Sequence, residues 1–539
     1  MIKDYPLYDV PVFKNVKEFI DLVGEKYADE TAFLFERNGE DIGVSYEQLR
    51  RDIYALGTYF YTVGLEDGDR IAVMGENSYE WIITYFATVN TSKVIVPIDK
   101  ELGAPEVANL INSSGAKLFV YADTKAKLID EAKANMAGVE TYIPMSQFGD
   151  IIEKGNEMLE AGDSRYENNK IDVEALCTII YTSGTTGDPK GVMLNHRNLA
   201  FDTVNSCRNF VQPNGSVLVL PIHHTFGFTA SVLCQLCRGY FVYINNSLKN
   251  ILKDIEKSHP RHLCVVPLFV ETFYKSLWRT VKKQGKDKLL KKMITVSNAL
   301  RKVGIDLRSV LFKSVKKGFG GNLEMLIAGG APLDLKYAKG FDDLGIAIIN
   351  GYGITECSPI VSVDRNKKYL FAAAGVPIPN TEVKIYEPNE DGEGEIIVKG
   401  DHVMMGYYNN PEATKAVFLD GGWFRTGDIG TIDENGFIHV TGRIKNIIIL
   451  SNGKNVYPEE IENVILQNVE GVTEVVVYGE DDVICAEVYT ETPNEKDRIK
   501  KDIQALNDNL PPMKQIKRVL FRDTEFEKTT TKKIKRHAR

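Results

Sequence analysis

Between Tyr181 and Gly191 the chain reads Y-T-S-G-T-T-G-D-P-K-G. Thr182, Ser183, Thr185 and Thr186 supply hydroxyls, Gly184, Gly187 and Gly191 leave the backbone uncovered, and Lys190 adds a positive charge. Such a segment presents N–H groups and hydroxyls to a polyanion with few side chains in the way. The apolar run Leu176-Cys-Thr-Ile-Ile before it reads as a buried strand, so the chemistry sits at a strand end. A phosphate-holding loop is the first expectation, and a flexible surface loop is its plain alternative. The nucleotide loop G-x-x-x-x-G-K-[ST] does not fit. Counted from Gly184, the glycine position falls on Pro189, and Lys190 is followed by Gly191.

Three further stretches carry chemistry. His223 and His224, with Phe226, Gly227 and Phe228, close the strand Val217-Leu-Val-Leu-Pro and could line a pocket or form a structural turn. The phrases Gly329-Gly330-Ala331-Pro332 and Asn350-Gly351-Tyr352-Gly353-Ile354-Thr355-Glu356 each follow an apolar strand, where open α/β sheets bind ligands. Glycine there permits close backbone approach to a flat base, and Tyr352 could stack on it. Glu356 is an oxygen ligand suited to magnesium on phosphates; its alternative is a solvated first helical turn. Cys234 and Cys237 form a C-x-x-C near His223 and His224, but the apolar setting favours packing over zinc.

The elements that must position these residues alternate. Ser45 caps a helix from Tyr46 to Val63, with Gln48 three residues on. Strand Ile71–Met74, a helix capped by Ser78, strand Val94–Ile98, helix Ala104–Asn112 and strand Lys117–Tyr121 follow. Strand–helix–strand alternation is the pattern of a parallel α/β layer. Residues 124–172 read as helix and surface connection. Residues 273–317 are strongly basic, read as a solvated helical face; peripheral contact with an anionic membrane surface or a carrier protein is the alternative. From Gly375 alternating strands indicate a β-rich subdomain, with Asn435-Gly436 as a hairpin turn. After Asn446 comes a small α+β unit with helices Pro458–Gln467 and Asp497–Asn509 and strands Glu474–Tyr478 and Ile484–Thr490. The basic close from Lys528 reads as a frayed tail.

The chain has 539 residues, 43% apolar and 26% charged, which exceeds one average domain and is ordinary for a soluble protein. A net charge of −9 argues against general nucleic-acid binding. Seven scattered cysteines indicate a reducing compartment. With neither an apolar leader nor a transmembrane run, a cytoplasmic location is expected.

In this order the motifs resemble the adenylate-forming superfamily, which comprises acyl-CoA synthetases, adenylation domains and luciferases. The match runs through Thr182 to Gly191, His224 in Pro221-Ile-His-His-Thr-Phe-Gly, the two glycine phrases, Asp428 in Thr426-Gly-Asp, Gly442-Arg443-Ile-Lys-Asn446, Ser451-Asn-Gly453-Lys-Asn and Pro458-Glu-Glu-Ile-Glu. The insertion between His224 and Gly329 looks most like the long-chain fatty-acyl-CoA synthetase branch. The resemblance implies a large N-terminal domain (1–445, layered parallel α/β subdomains plus the β-rich one) and a small mobile C-terminal domain (446–539) hinged near Asn446. It implies ATP, Mg²⁺ and coenzyme A. ATP or AMP would be held by Thr182, Ser183, Gly184, Thr185, Thr186, Lys190, Gly329, Gly330, Ala331, Pro332, Asn350, Gly351, Tyr352, Gly353, Thr355, Asp428 (on ribose) and Arg443. Magnesium would sit on Glu356 with Thr185. The acyl pocket would take His224, Phe226, Gly227 and Phe228; Lys533, Glu356 and His224 would be catalytic, and Gly453 would line the thiol channel.

Two departures stand out. Asn446 occupies the hinge where the family often has aspartate; asparagine tolerates left-handed backbone. Lys532 replaces the glycine that precedes the family's C-terminal lysine, so Lys532 competes with Lys533 as the active amine. The implied reaction joins a carboxylic acid, a fatty acid first, to AMP with release of pyrophosphate, then transfers the acyl group to coenzyme A. The alternatives are an adenylation enzyme loading a separate acyl carrier protein and a nucleotide-binding protein without turnover.

Overall fold

The computed structural model describes residues 4–182, 189–245, 247–450, 455–481, 483–528 and 534–536. Two layered sheets form the larger part. The first has seven strands, in the order Gly406–Tyr407, Lys190–Asn195, Leu176–Thr182, Val94–Ile98, Arg70–Met74, Ala116–Tyr121 and Thr141–Pro144. From Leu176–Thr182 outward to Thr141–Pro144 the pairs are parallel, as the strand–helix alternation requires. Every residue of Val94–Ile98 is buried, as expected of a parallel strand covered on both faces.

The helices form where their caps put them. Ser45 Oγ accepts from the Gln48 N–H and opens helix Tyr46–Phe60; Ser78 does the same for Trp81 and opens Tyr79–Asn90. Helix Tyr79–Asn90 is buried all round, because the second sheet's helices pack on its other side.

The second sheet has nine strands, in the order Val376–Pro377, Ile360–Val363, Ala347–Gly353, Met325–Ala328, His262–Val265, Ser216–Leu218, Val242–Ile244, Thr31–Arg37 and Glu40–Ser45. The strand Thr141–Pro144 lies within the stretch read as helix and connection. Four residues are too few to show a period.

The second glycine phrase also departs from expectation. Asn350 to Gly353 are not a turn after the strand but its continuation. Ala347–Asn350 pairs in parallel with Met325–Ala328, then Gly351–Gly353 pairs antiparallel with Ile360–Val363. One strand thus serves two partners in succession.

A β-rich subdomain follows, with Glu382–Tyr386, Gly394–Lys399, Trp423–Ile432 and Phe418–Leu419 in order and Ile438–Arg443 on Trp423–Ile432. Asp433 accepts from the N–H groups of Asn435 and Phe437 and shapes the connection where Gly436 takes φ +83°. Beyond Asn446 a separate core forms from helices Pro458–Asn468 and Lys496–Ala505 and a sheet of Glu474–Glu480, Val483–Tyr489 and Ile516–Arg522. The last strand was not expected. It runs parallel to Val483–Tyr489, its register set by a neighbour distant in sequence.

Of the basic close, the described residues Lys528 and 534–536 are held by partners. Lys528 pairs with Glu474, Arg536 pairs with Glu462, and Lys528 bridges Ile534. Helices Pro267–Lys283 and Asp287–Arg301 carry the expected exposed lysines, with Leu289 and Val296 also exposed. Among the described residues no helix is long and apolar enough to cross a membrane.

Candidate active site

The two glycine phrases meet where their strands end. Gly330 takes φ +83°, so an L side chain would be strained there. A Cβ on Gly329 would stand 2.9 Å from the Phe226 ring. A Cβ on Gly353 would stand 1.9 Å from the Pro359 carbonyl oxygen, so this glycine is demanded by strand approach as well as by any ligand. Ala331 and Pro332 are exposed. Asn350 is buried, and its side chain donates to the Phe371 carbonyl at 3.1 Å, a structural bond. The Asn350 N–H donates to Asp364, whose carboxyl is pushed by burial up to about 7.

A polar cluster lies beside Tyr352. Its hydroxyl donates to Asp428 Oδ2 at 2.8 Å, and Arg443 Nε donates to Asp428 Oδ1 at 2.7 Å. Asp428 is buried, and its negative charge raises the Arg443 guanidinium further. An ionised carboxylate offers about four lone-pair sites, so both oxygens keep capacity for hydroxyl donors. Burial drives the Tyr352 phenol well above its ordinary value, so it remains a donor.

A second cluster surrounds Glu356. It follows Thr355 in a single 3-10 turn and is half-buried rather than fully solvated. Tyr407 donates to Glu356 Oε1 at 2.9 Å. Lys190 Nζ lies over the Tyr407 ring, 5.1 Å from its centre. Tyr407 arrives on the edge strand Gly406–Tyr407, paired with Val192 and Met193. Burial and the Glu356 charge raise its phenol well above the ordinary range. A half-exposed carboxylate oriented by one hydroxyl is a hard oxygen donor of the kind magnesium takes.

Of the phosphate loop, Thr182 and Lys190 face each other across an antiparallel pair. Ser183, Gly184, Thr185 and Thr186 lie outside the described residues, as do Gly453, Lys532 and Lys533. Asn446 does not adopt the left-handed backbone here; its amide donates to Glu459 instead.

Between the glycine phrases and the helices lies a cavity that is partly open to solvent. Its walls include Gly329, Gly330, Gly351, Tyr352 and Gly353 on one side and Phe226, Ala230 and Cys234 on another. Of the four residues expected in an acyl pocket, Phe226 alone lines it. Phe228 is a correction: it is packed among Trp81, Tyr85 and Phe86 in the core. Phe226, two residues back on the helix Phe226–Leu233, faces the cavity, because residues two apart lie on opposite sides of a helix. Gly227 is demanded by the Pro221 carbonyl, 2.1 Å from where its Cβ would be.

His224 instead packs against His223 with the rings tilted by 45°, and His223 Nε2 lies 3.4 Å from Asp99 Oδ1. Burial alone would raise the Asp99 carboxyl, but His223 overrides it and holds it well below the usual range. Among the described residues, Asp99, His223 and His224 have ligand atoms within 4.8 Å of one another; Cys234 and Cys237 do not join them and are buried packing residues.

Sequence reasoning missed Tyr407, Asp99 and the far cavity wall of Ser206, Gln212 and Gln235. Tyr407, Asp99, Ser206 and Gln212 sit in no phrase with its own chemical signature, and Gln235 lies within the C-x-x-C read as packing.

The family model of the AMP-binding enzymes matches residues 21–408, and that of the AMP-binding enzyme C-terminal domain matches 445–539. A feruloyl-CoA synthase of an Amycolatopsis species is 30% identical over 461 residues, 83% of this chain and 82% of that protein. A chloroplastic long-chain-fatty-acid–[acyl-carrier-protein] ligase of Arabidopsis thaliana is 27% identical over 549 residues, 87% of this chain and 75% of that protein. The ATP-bound structure of MatB from Rhodopseudomonas palustris superposes with a TM-score of 0.77 at 26% identity, covering 97% of this chain and 98% of that one. The chain belongs to the AMP-binding enzyme family. It is an AMP-forming acid–thiol ligase with the adenylate-forming fold.

Proposed function

We propose that this ligase activates an apolar carboxylic acid, a fatty acid first, and delivers it to coenzyme A. The observation that carries this reading is the cavity of mainly apolar side chains, whose glycine-lined wall ends at Tyr352, beside Asp428 and Arg443. An acyl group in the cavity would bring its carboxylate to the glycine phrases, where an adenylate would lie.

Carboxylate and triphosphate repel, and no protein nucleophile is required, so positioning and charge stabilisation dominate. Asp428 accepts from the ribose hydroxyls while Tyr352 and Arg443 keep its two oxygens aimed. Lys190 and the hydroxyls from Thr182 to Thr186 hold the departing pyrophosphate. Glu356, oriented by Tyr407, and Thr185 are the residues that would hold magnesium, which when bound neutralises charge on phosphate oxygens. Lys533 bridges the carboxylate and the α-phosphate; a unit charge at about 4 Å is worth roughly 4 kcal/mol at an effective dielectric of about 20. The attack forms the bond from carboxylate oxygen to α-phosphorus and breaks the bond to pyrophosphate. The thiol then forms the thioester and AMP leaves. Rotation of the C-terminal domain about Asn446 withdraws Lys533 and brings Gly453 to the thiol channel.

The test separates the two steps. Carboxylate-dependent ATP–pyrophosphate exchange measures the first, and AMP release with coenzyme A or with acyl carrier protein measures the second. Lys533→Ala is expected to lose exchange by about 10²-fold or more yet still convert supplied acyl-adenylate to thioester. Equal loss of both steps would refute the two-conformation scheme, and loss in Lys532→Ala instead would move the active amine by one residue. Faster release with carrier protein than with coenzyme A would favour the carrier-loading alternative.

A further inference from the structure

One edge strand of the C-terminal domain holds the end of the chain at two points. Strand Glu474–Glu480 lies at the edge of its three-stranded sheet. Glu474, 8% exposed, accepts from the Phe526 N–H at 2.8 Å and pairs with Lys528. Three residues further along, Val477 gives both backbone groups to side chains. Its N–H donates to Glu462 Oε1 at 2.6 Å, and its carbonyl accepts from Arg536 Nη1 at 3.3 Å. Arg536 Nη2 pairs in turn with Glu462 Oε2. The Lys535 N–H donates to the Glu527 carbonyl at 2.7 Å and Ile534 bridges Lys528, so the two anchored pieces also hold each other. Lys532 and Lys533 stand between those pieces in the sequence.

Stability alone does not explain Arg536. Glu462 is 8% exposed, and a carboxylate taken that far out of water loses about as much as its partner returns. What a guanidinium adds is direction, because its planar fork meets Glu462 and Val477 at once. The pair also reaches the hinge. Glu459, one turn before Glu462 on helix Pro458–Asn468, has its Oε1 3.5 Å from Arg536 Nη2 and accepts from the Asn446 amide. One helix face thus connects the end of the chain with the residue proposed as the hinge.

We propose that Arg536, held by Glu462 and Glu459, is a positioning residue for adenylation. It fixes the chain three residues after Lys533, so that the amine meets the carboxylate and the α-phosphate in one geometry. Glu474 with Lys528 fixes it from the other side. This rests on the adenylation reading above, and the test keeps the two apart. An amine on a chain held at one end only is free to turn away, and a misplacement of about 1 Å costs about 10²-fold in rate. Thioester formation, during which Lys533 is withdrawn, does not need the clamp.

The experiment measures ATP–pyrophosphate exchange with laurate and with cinnamate, and conversion of the supplied acyl-adenylates to thioester, on the full chain. Arg536→Ala is expected to lower kcat for exchange by about 10- to 100-fold, with KM for ATP changed little and thioester formation kept. Arg536→Lys, which keeps the charge but not the fork, is expected to recover part of the loss. If thermal melting shows that the alanine variant does not fold, a selective loss of exchange in Arg536→Lys is the expected result. Equal loss in both half-reactions overturns the inference, because a residue that only holds the domain together weakens both. Normal exchange in the Arg536 variants overturns it as well. Exchange that survives both Lys533→Ala and Lys532→Ala refutes the role of the amine and leaves Arg536 nothing to position. No exchange by the unaltered enzyme with either acid overturns the proposed activation of an apolar acid, and the inference with it.

Discussion

Replacing Tyr407 with phenylalanine removes one hydroxyl from the candidate site and little else. The ring stays beneath Lys190, and the strand pairing of Gly406–Tyr407 with Val192 and Met193 is untouched. What goes is the 2.9 Å donor bond to Glu356 Oε1. A hydrogen bond to a charged acceptor is worth about 1.5–3 kcal/mol. Tyr407 is 7% exposed, so water does not take over the hydroxyl's position at full strength. If the bond aims Glu356 at the metal, losing it costs about 10–100-fold in metal affinity or activity, the range seen for partners that orient metal ligands.

The assay is ATP–pyrophosphate exchange at fixed ATP, titrated with magnesium. Tyr407→Phe is expected to raise the half-saturating magnesium concentration about 10-fold or more, with a fall in thermal stability no larger than loss of that one hydrogen bond accounts for. Glu356→Gln should lose more. Unchanged magnesium dependence with normal turnover would refute the reasoning. A tighter metal requirement would refute it in the opposite sense, by showing that the tyrosine competes with magnesium for the carboxylate.

Two further outcomes are expected. Gly353→Ala places a methyl 1.9 Å from the Pro359 carbonyl oxygen and must part the strands that carry Tyr352; a cost at the upper end of roughly 1–3 kcal/mol should appear as a lowered urea midpoint together with weaker ATP binding. Burial holds the imidazoles of His196 and His262 down to about 4 and that of His402 to about 3, against an ordinary 6.5. The unfolded chain therefore takes up protons first as pH falls, and stability present above 6.5 is lost toward 4, by up to about 1.4 kcal/mol per pH unit for each imidazole. His402→Leu should flatten the acid limb of a melting-temperature profile; an unaltered slope would exclude His402 as a contributor.

Much of the layer architecture was legible in the residues. Ser45 and Ser78 announce their helices because an N-cap bond is local, made within three residues. The strand Val94–Ile98 announces burial on both faces because it has no polar alternation. The glycine phrases and Glu356 could be picked out as site candidates from their place after strands, whereas Asp428 and Arg443 entered only through the family resemblance. The strands Thr141–Pro144 and Ile516–Arg522 escaped, because their pairing depends on neighbours remote in the chain.

The sequence by itself pointed to residue types suited to phosphate, a flat base and magnesium, because those chemistries favour hydroxyls, glycine and carboxylate in short patterns. Only the tertiary structure decided how they are held. It put Tyr352 and Arg443 on the two oxygens of Asp428, brought Tyr407 to Glu356, sent Phe228 into the core and Phe226 to the cavity, and set Ser206 beside the same wall as Gln212. Apart from Ser206 and Gln212, which are close in the chain, these contacts join segments well separated in sequence. Their geometry comes from sheet order and helix packing, which no local pattern encodes.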